Sequence, residues 1–200
     1  MIRVFVSISP IYGVPDINVG DDLAIIIGDC LEKSFNEVID GDIICIAHKI
    51  FSKAEGNIYD LKDVSPSEEA IGFAKKLNKD PRKVEVILNQ STRVIRAFKR
   101  EDQNEGVMIC EHRLGFISAN AAVDESNVSG TEKVITLPDN PDLSSRNLQI
   151  ELQNRFKVRL GVVMTDTFGR PWRLGQVNVA VGLAGVPATK KEQGNLDAWG

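Results

Sequence analysis

Cysteine is scarce in this sequence, and the few cysteines do not form a set. The three of them, Cys30, Cys45 and Cys110, lie far apart and within apolar runs. This spacing disfavours a disulfide framework, a zinc site and a redox pair. We therefore expect buried, unpaired thiols in a reducing compartment.

A strong net charge is also lacking. The 24 Lys and Arg residues are slightly outnumbered by 28 Asp and Glu residues, which gives a formal charge of −4. Such a chain has no bulk cationic field with which to hold nucleic acid or anionic lipid, so neither is an expected partner. An anionic ligand would have to be bound by a local cluster of cationic side chains.

Long apolar runs are missing as well. Leu23–Ile27 and Ile43–Ala47 fall far short of the roughly 20 apolar residues that a membrane span requires. The first ten residues repeat an apolar side chain at every second position, which is typical of a strand and not of a secretory signal. We expect a soluble, cytoplasmic protein with one domain over residues 1–200.

Helix and strand patterns follow one another along the chain. Capping residues indicate helices that begin near Asp21 or Asp22, at Ser65-Pro66-Ser67-Glu68, at Asp80-Pro81 and at Pro138-Asp139-Asn140-Pro141. Strand patterns cover Ile43–Ala47, Thr92–Phe98, Val107–Cys110, Gly115–Ala119, Val134–Leu137, Val158–Met164 and Val177–Val186. Because Ile43–Ala47 is apolar throughout, we expect it to be covered on both faces and central in its sheet. Helices and strands do not alternate strictly, so the predicted fold class is α+β with mixed sheets.

Common sequence signatures of nucleotide and metal chemistry are absent. The chain has no G-x-x-x-x-G-K-[ST], no G-x-G-x-x-G and no H-E-x-x-H. A nucleotide would therefore have to be bound without a P-loop or a Rossmann fingerprint. Polar segments that lie where an apolar run ends are the remaining candidates, because a rigid scaffold can hold their side chains beside a pocket.

One such segment follows the apolar run that ends at Met164. Asp166 and Thr167 offer a carboxylate and a hydroxyl, which are oxygen ligands of the kind that hard divalent cations prefer. Arg170 and Arg173 are candidates for contacts with phosphate or substrate oxygens. The same residues also fit a plain turn, in which Asp166 caps a backbone amide and the arginines face water.

A second segment follows Gly115–Ala119 and contains Asp124 and Asn127. Asp124 is a candidate for a second metal-binding carboxylate, since Mg²⁺ or Mn²⁺ bridging phosphates takes one or two protein carboxylates. Asn127 offers an amide to a nucleotide. An ordinary polar loop with Asp124 as a helix cap is the alternative.

Two further segments carry cationic or small residues. Lys49 and Lys53 are four positions apart, so one helical turn would direct both ammonium groups to the same anion, although such lysines are more often solvated. His48 is either a polar pocket residue or a histidine satisfied by hydrogen bonds. Gly13–Ile17 is a stiff loop that suits a backbone cradle and equally a plain connection.

Taken together and in this order, these segments resemble the coenzyme F-420-0:L-glutamate ligase family, the gamma-glutamyl ligases of deazaflavin coenzyme biosynthesis. The resemblance extends along nearly the whole chain. The matching motifs are Gly41-Asp42, Ser52-Lys53-Ala54-Glu55-Gly56, Ala119-Asn120, Val123-Asp124, Ser126-Asn127-Val128, Leu137-Pro138, Asn140-Pro141-Asp142, Thr165-Asp166-Thr167-Phe168-Gly169-Arg170-Pro171-Trp172-Arg173 and Gly175-Gln176.

The resemblance implies an enzyme that uses GTP to join L-glutamate to a deazaflavin coenzyme precursor, with further glutamates then gamma-linked. The expected route is an acyl phosphate that the glutamate amine attacks, releasing GDP and phosphate. The implied cofactors are Mg²⁺ or Mn²⁺, with two ions per site as an option, and K⁺. An intertwined homodimer with an α+β fold of the family's own kind is also implied.

The resemblance further implies roles for individual residues. It assigns metal binding to Asp124, Asp166 and Thr167, and nucleotide binding to Val14, Pro15, Asp16, Ile17, His48, Lys49, Lys53 and Asn127. No catalytic residue beyond the metal ligands is assigned.

Two departures from the family pattern bear on these expectations. Ala122 stands where the family often has glycine, so a positive φ at this position would strain the loop that holds Asp124. Family members usually continue beyond Gly200 into a segment that completes the nucleotide site, and we expect that segment to be missing here. The alternatives are a truncated relative that binds metal or nucleotide without catalysis, and an amide ligase acting on another carboxylate.

Overall fold

The computed structural model describes residues 6–35, 37–126, 132–194 and 196. Within these ranges the helices are Leu23–Ser34 (α1), His48–Ala54 (α2), Glu68–Leu77 (α3), Pro81–Asn89 (α4) and Pro141–Phe156 (α5). The strands are Ile43–Ala47 (β1), Ile58–Asp60 (β2), Ser91–Phe98 (β3), Val107–His112 (β4), Ile117–Ala119 (β5), Lys133–Ile135 (β6), Gly161–Gly169 (β7) and Gln176–Ala184 (β8). Short helical turns cover Leu61–Asp63 and Asn120–Ala122. The α+β class with mixed sheets is confirmed.

The described strands form three separate sheets. The first has the order β1-β7-β8, with β1 parallel to β7 and β8 antiparallel to it. The second pairs β2 with β6, and the third is the antiparallel meander β3-β4-β5. The predicted strands at Val107–Cys110 and Gly115–Ala119 therefore form an antiparallel hairpin, β4 with β5.

Two hydrophobic clusters hold these elements together. The first packs α3 and α4 against β3 and β4, with Leu77, Ile87 and Met108 fully buried. The second packs α1 and α5 against β1 and β7, where Leu152 and Val162 are fully buried. Burial of apolar surface is the main term that favours folding, so these clusters fix the positions of the elements that carry the candidate site.

The helix starts follow the capping residues. The Asp22 side chain accepts hydrogen bonds from the first turn of α1, and Asp80 does the same for α4, with Pro81 in its first turn. In α3 the cap is Ser67 and not Ser65, because the Ser67 hydroxyl accepts the N–H of Ala70. That helix therefore begins at Glu68, slightly later than the sequence predicts.

The prediction that β1 is central and doubly covered is wrong for the described sheet. It is an edge strand beside β7, and its side chains alternate between exposed and buried. Ile44 and Ile46 face the core, whereas Ile43 and Cys45 are exposed. Cys30 and Cys110 are buried as expected, but the prediction of a buried thiol is wrong for Cys45.

The prediction of an amino-terminal strand is wrong where the structure describes that segment. Residues 6–10 form no strand, and Val6 and Ile8 are 87% and 94% exposed. Residues 1–5 lie outside the described residues. Alternation of apolar residues indicates a strand only when a neighbouring strand pairs with its backbone, and none of the described strands does so here. None of the described helices is long and apolar enough to cross a membrane.

Beside the first cluster, two almost fully buried lysines share one carboxylate. Glu105 accepts hydrogen bonds from Lys79 at 2.8 Å and from Lys83 at 3.0 Å. Lys83 also lies 2.8 Å from a Glu125 oxygen. Buried ammonium groups are costly without partners, so α3 and α4 depend on this network.

Glu105→Gln should lower the free energy of unfolding at pH 7 by about 1–2 kcal/mol, because it leaves Lys79 and Lys83 underpaired while Glu105 itself is partly exposed. Burial raises the pKa of the Glu105 carboxyl, but the two lysines lower it further, so it lies below the ordinary 4.5. Because its pKa is depressed in the folded protein, the ionised Glu105 carboxylate stabilises the fold above pH 4.5. This stabilisation is lost as the pH falls through the pKa that Glu105 has in the folded state.

Urea denaturation at pH 7 and pH 3 checks this prediction, with the exposed Glu101→Gln as the matched control. The difference between wild type and Glu105→Gln should shrink at the lower pH. An equal difference at both pH values would contradict the role given to the Glu105 charge.

Candidate active site

The parallel pairing of β1 with β7 brings two distant polar segments together. Ala47 at the end of β1 is paired with Thr165 of β7, so His48 and Asp166 both come one residue after that pair. His48 Nε2 lies 3.5 Å from Asp166 Oδ1. Because carboxyl ends of parallel strands meet at one edge of a sheet, α2 begins beside the predicted metal ligand.

Asp124 reaches the same place through a turn of unusual backbone conformation. Asn120, Ala121 and Ala122 have φ values of +51°, +48° and +54°. After this turn the Asp124 backbone pairs with Ile135, with N···O distances of 3.0 and 2.8 Å. The positive φ considered for Ala122 is therefore present, and a β-carbon does stand in a conformation that favours glycine.

Both carboxylates border one small cavity of about 100 Å³. Its lining residues are Ser118, Ala119, Ala122, Val123, Asp124, Asp166, Thr167, Phe168 and Gly169. The structure thus brings together all three residues predicted to bind metal, although Asp124 and Asp166 are far apart in sequence and only Asp166 belongs to a strand, β7.

The two carboxyl groups of the cavity have opposite electrostatic environments. Burial raises the pKa of Asp166, and the negative charge of Asp124 raises it further. Burial also acts to raise the pKa of Asp124, but hydrogen bonds from Lys49 and Ser126 outweigh burial and hold it below its usual value. The negative charge of Asp124 thus acts on Asp166, and two carboxylates close enough to interact are also suited to share a cation.

The donor set fits a hard divalent cation. Two carboxylates and the Thr167 hydroxyl are oxygen ligands, and that hydroxyl donates its proton to Asn178 Oδ1 at 2.9 Å, which leaves its lone pairs for another partner. Among the described residues, no group of three or more His, Cys, Asp or Glu is placed to hold a metal. So small a protein ligand set suits Mg²⁺ or Mn²⁺, whose remaining positions are taken by water and phosphate.

His48 does not have the accessible position that a nucleotide-contacting side chain needs. It is only 2% exposed, and its Nδ1 lies 3.2 Å from the Ser52 hydroxyl. Its Nε2 is buried without a hydrogen-bond partner and faces Asp166. Burial, with the nearby Lys49 charge, lowers its pKa to about 4, so the ring is neutral at pH 7. The buried side chain of His48 thus lies beside Asp166, and the nucleotide contact implied for His48 stays a prediction.

Lys49 and Lys53 lie on one side of α2 as predicted, but in this structure they pair with two different carboxylates. Lys49 Nζ is 2.7 Å from Asp124 Oδ2, and Lys53 Nζ is 2.6 Å from Asp16 Oδ1. The second pair ties the loop of Val14, Pro15, Asp16 and Ile17 to α2. Ile17 is buried, which anchors the loop, and the hydrogen bond from Lys53 lowers the pKa of Asp16.

The two predicted arginines are not part of the cavity wall. Arg170 and Arg173 lie in the exposed connection between β7 and β8, and Arg170 donates a hydrogen bond to the Leu174 carbonyl at 3.4 Å. Neither arginine lines the cavity. Asn127 lies outside the described residues. The exposure of both arginines agrees with the alternative prediction of a plain turn in which they face water.

An aromatic contact beside the cavity was not anticipated from the sequence. The ring of buried His112 stacks on Phe116 with centroids 4.7 Å apart and an interplanar angle of 5°. Phe116 in turn lies 5.3 Å from Phe168, which lines the cavity. No local pattern indicates this contact, because it joins the β4–β5 hairpin to β7 across two sheets.

The fold and the site define an α+β protein in which two carboxylates and a hydroxyl border one cavity and a lysine pairs with one of the carboxylates. Comparison with known proteins then gives the family. The model of the F420-0:gamma-glutamyl ligase family matches residues 13–200. The chain belongs to that family, which confirms the resemblance found in the sequence.

Several curated relatives are similar over most of this chain. The coenzyme F420:L-glutamate ligase of Methanothermobacter thermautotrophicus is 40% identical over 195 residues, which cover 98% of this chain and 75% of the relative. That of Methanopyrus kandleri is 41% identical over 90% of this chain and 67% of its own length. That of Methanocaldococcus jannaschii is 40% identical over 80% of this chain and 61% of its own length.

Ala122→Gly should raise the free energy of unfolding by up to about 1 kcal/mol, because relief of the left-handed strain exceeds the extra entropy of glycine in the unfolded chain. Ala74→Gly in α3 is the matched control and should cost about 1 kcal/mol, the usual penalty in a helix. Urea denaturation measures both changes. A destabilised Ala122→Gly variant would show that the turn is not strained by its β-carbon.

Proposed function

We propose that this protein is a GTP-dependent ligase that joins L-glutamate to the deazaflavin coenzyme precursor F420-0 and then adds further gamma-linked glutamates. Family membership supports the ligase class, and the relatives' names supply the coenzyme and the amino acid. The observation that carries the proposal is the meeting of Asp124 and Asp166 at one cavity, with Lys49 beside them.

The proposed reaction has two steps. In the first, an acceptor carboxylate oxygen attacks the γ-phosphorus of GTP, which forms an acyl phosphate and releases GDP. In the second, the glutamate amine attacks the acyl carbon, so that a C–N bond forms, the C–O bond to phosphate breaks, and the nitrogen loses a proton. Phosphoryl transfer of this kind depends on positioning and on charge neutralisation more than on covalent catalysis by the protein.

The residues of this chain have roles suited to that chemistry. Asp124, Asp166 and Thr167 would hold Mg²⁺ or Mn²⁺, which supplies positive charge next to the transferring phosphoryl group when bound. Buried His48 packs beside Asp166. Lys49 adds a mobile positive charge at the cavity, where low solvent access strengthens its effect.

The nucleotide site is proposed around the start of α2. The loop of Val14, Pro15, Asp16 and Ile17 lies against this helix through the Lys53 pair, and its backbone offers amide groups to phosphates. We include Asn127 in the same site. Arg170 and Arg173 are proposed to contact a phosphate group or the substrate outside the cavity. Potassium and the homodimer remain predictions.

Asp166→Ala should reduce glutamate transfer by more than about a hundredfold, since a direct metal ligand contributes more than the 10–100-fold typical of outer partners. The assay combines GTP, Mn²⁺, L-glutamate and F420-0, and mass spectrometry detects the added glutamate. Asp63→Ala, an exposed carboxylate in the Leu61–Asp63 turn, is the control and should retain activity.

Turnover by Asp166→Ala at the wild-type rate would contradict the metal assignment. Replacing GTP by ATP, and F420-0 by other carboxylic acids, tests the nucleotide and the acceptor in the same assay. Wild-type protein that binds GTP but yields no product with any acceptor would favour a binding protein over a ligase.

A further inference from the structure

Lys49 engages the carboxylate that is assigned to the cation. Its Nζ lies 2.7 Å from Asp124 Oδ2 and also contacts the Ser126 hydroxyl. That hydroxyl donates to Oδ2 at 3.1 Å, and the Ser126 N–H donates to Oδ1 at 2.8 Å. Both oxygens of Asp124 are therefore already bonded to donors of the chain itself.

An ammonium group and a divalent cation compete for the negative charge of the same Asp124 oxygen. The two cations would repel one another at close range, and one carboxylate charge neutralises only one of them well. Lys49 has the freedom to leave, because its side chain is flexible and 22% exposed at the first turn of α2. Asp124, at 39% exposed, is likewise open to a ligand from solvent.

We propose that Lys49 is an internal counter-ion that leaves Asp124 when the divalent cation binds and then pairs with a nucleotide phosphate. This inference rests on the proposed function and deepens it, because it makes metal and nucleotide binding cooperative. Without nucleotide, Lys49 competes with the cation for Asp124. With nucleotide, the displaced ammonium gains a phosphate partner, and each ligand strengthens the other by the same factor.

Lys53 provides the internal contrast. It carries the same charge one helical turn later, but its partner Asp16 is 79% exposed and lies outside the cavity wall. Its ammonium group does not compete for a proposed metal ligand. Removing the charge of Lys53 should therefore leave the intrinsic metal affinity of the carboxylate pair nearly unchanged.

The test is Mn²⁺ binding by the full chain without nucleotide. The electron paramagnetic resonance signal of free Mn²⁺ measures how much of the ion stays unbound. Lys49→Met should bind Mn²⁺ about fivefold or more tightly than wild type, within the usual range of coupling between sites. Lys49→Gln, which keeps a hydrogen-bond donor without the charge, should behave in the same way. Lys53→Met should bind Mn²⁺ with wild-type affinity, and thermal denaturation verifies that each variant is folded.

A second readout follows the nucleotide. At a fixed free Mn²⁺ concentration, Lys49→Met should bind GTP more weakly than wild type does. Mn²⁺ binding by Lys49→Met that is no tighter than wild-type binding would overturn the exchange while leaving the ligase proposal intact. If neither wild type nor Lys49→Met binds Mn²⁺, both the exchange and the metal assignment of the proposed function are wrong.

Discussion

The parallel pairing of β1 with β7 is the constraint on which the candidate site depends. It aligns Ala47 with Thr165, so α2 begins where Asp166 faces the cavity. A slip of one residue would turn the side chains of β7 to the opposite face and separate Asp166 from His48. Burial of Val162 and Met164 in the second cluster fixes this register, because their positions on β7 are set by the core.

Asp124 depends on a different part of the molecule. The strained turn over Asn120–Ala122 and the pairing with Ile135 place it at the cavity that Asp166 also lines. The ion pair of Lys49 with Asp124 then links two parts of the chain, because it joins α2, which follows β1 of the first sheet, to the segment that carries Asp124. The acidic chain thus needs no general cationic surface, because Lys49 pairs with Asp124, one of the two carboxylates that border the cavity.

Local features of the sequence predicted much of the fold. Caps such as Asp22 and Asp80 act on their own helix turns, so they can be recognised without knowledge of the tertiary structure. Sheet order depends on contacts between distant segments, which explains why β1 was expected at the centre and Cys45 inside. Oxygen chemistry and family resemblance pointed to Asp124, Asp166 and Thr167 as candidate metal ligands, whereas the burial of His48 requires the packing of α2 against β7.

The most direct test of the central claim, that Asp124 and Asp166 share one divalent cation, is Mn²⁺ binding by Asp124→Asn, Asp166→Asn and the double variant. If both carboxylates bind one ion, each single change should lower the Mn²⁺ affinity by about tenfold or more. The fold loss of affinity in the double variant should then be smaller than the product of the two single fold losses. Unchanged Mn²⁺ affinity in either single variant, in a folded protein, would contradict a shared site.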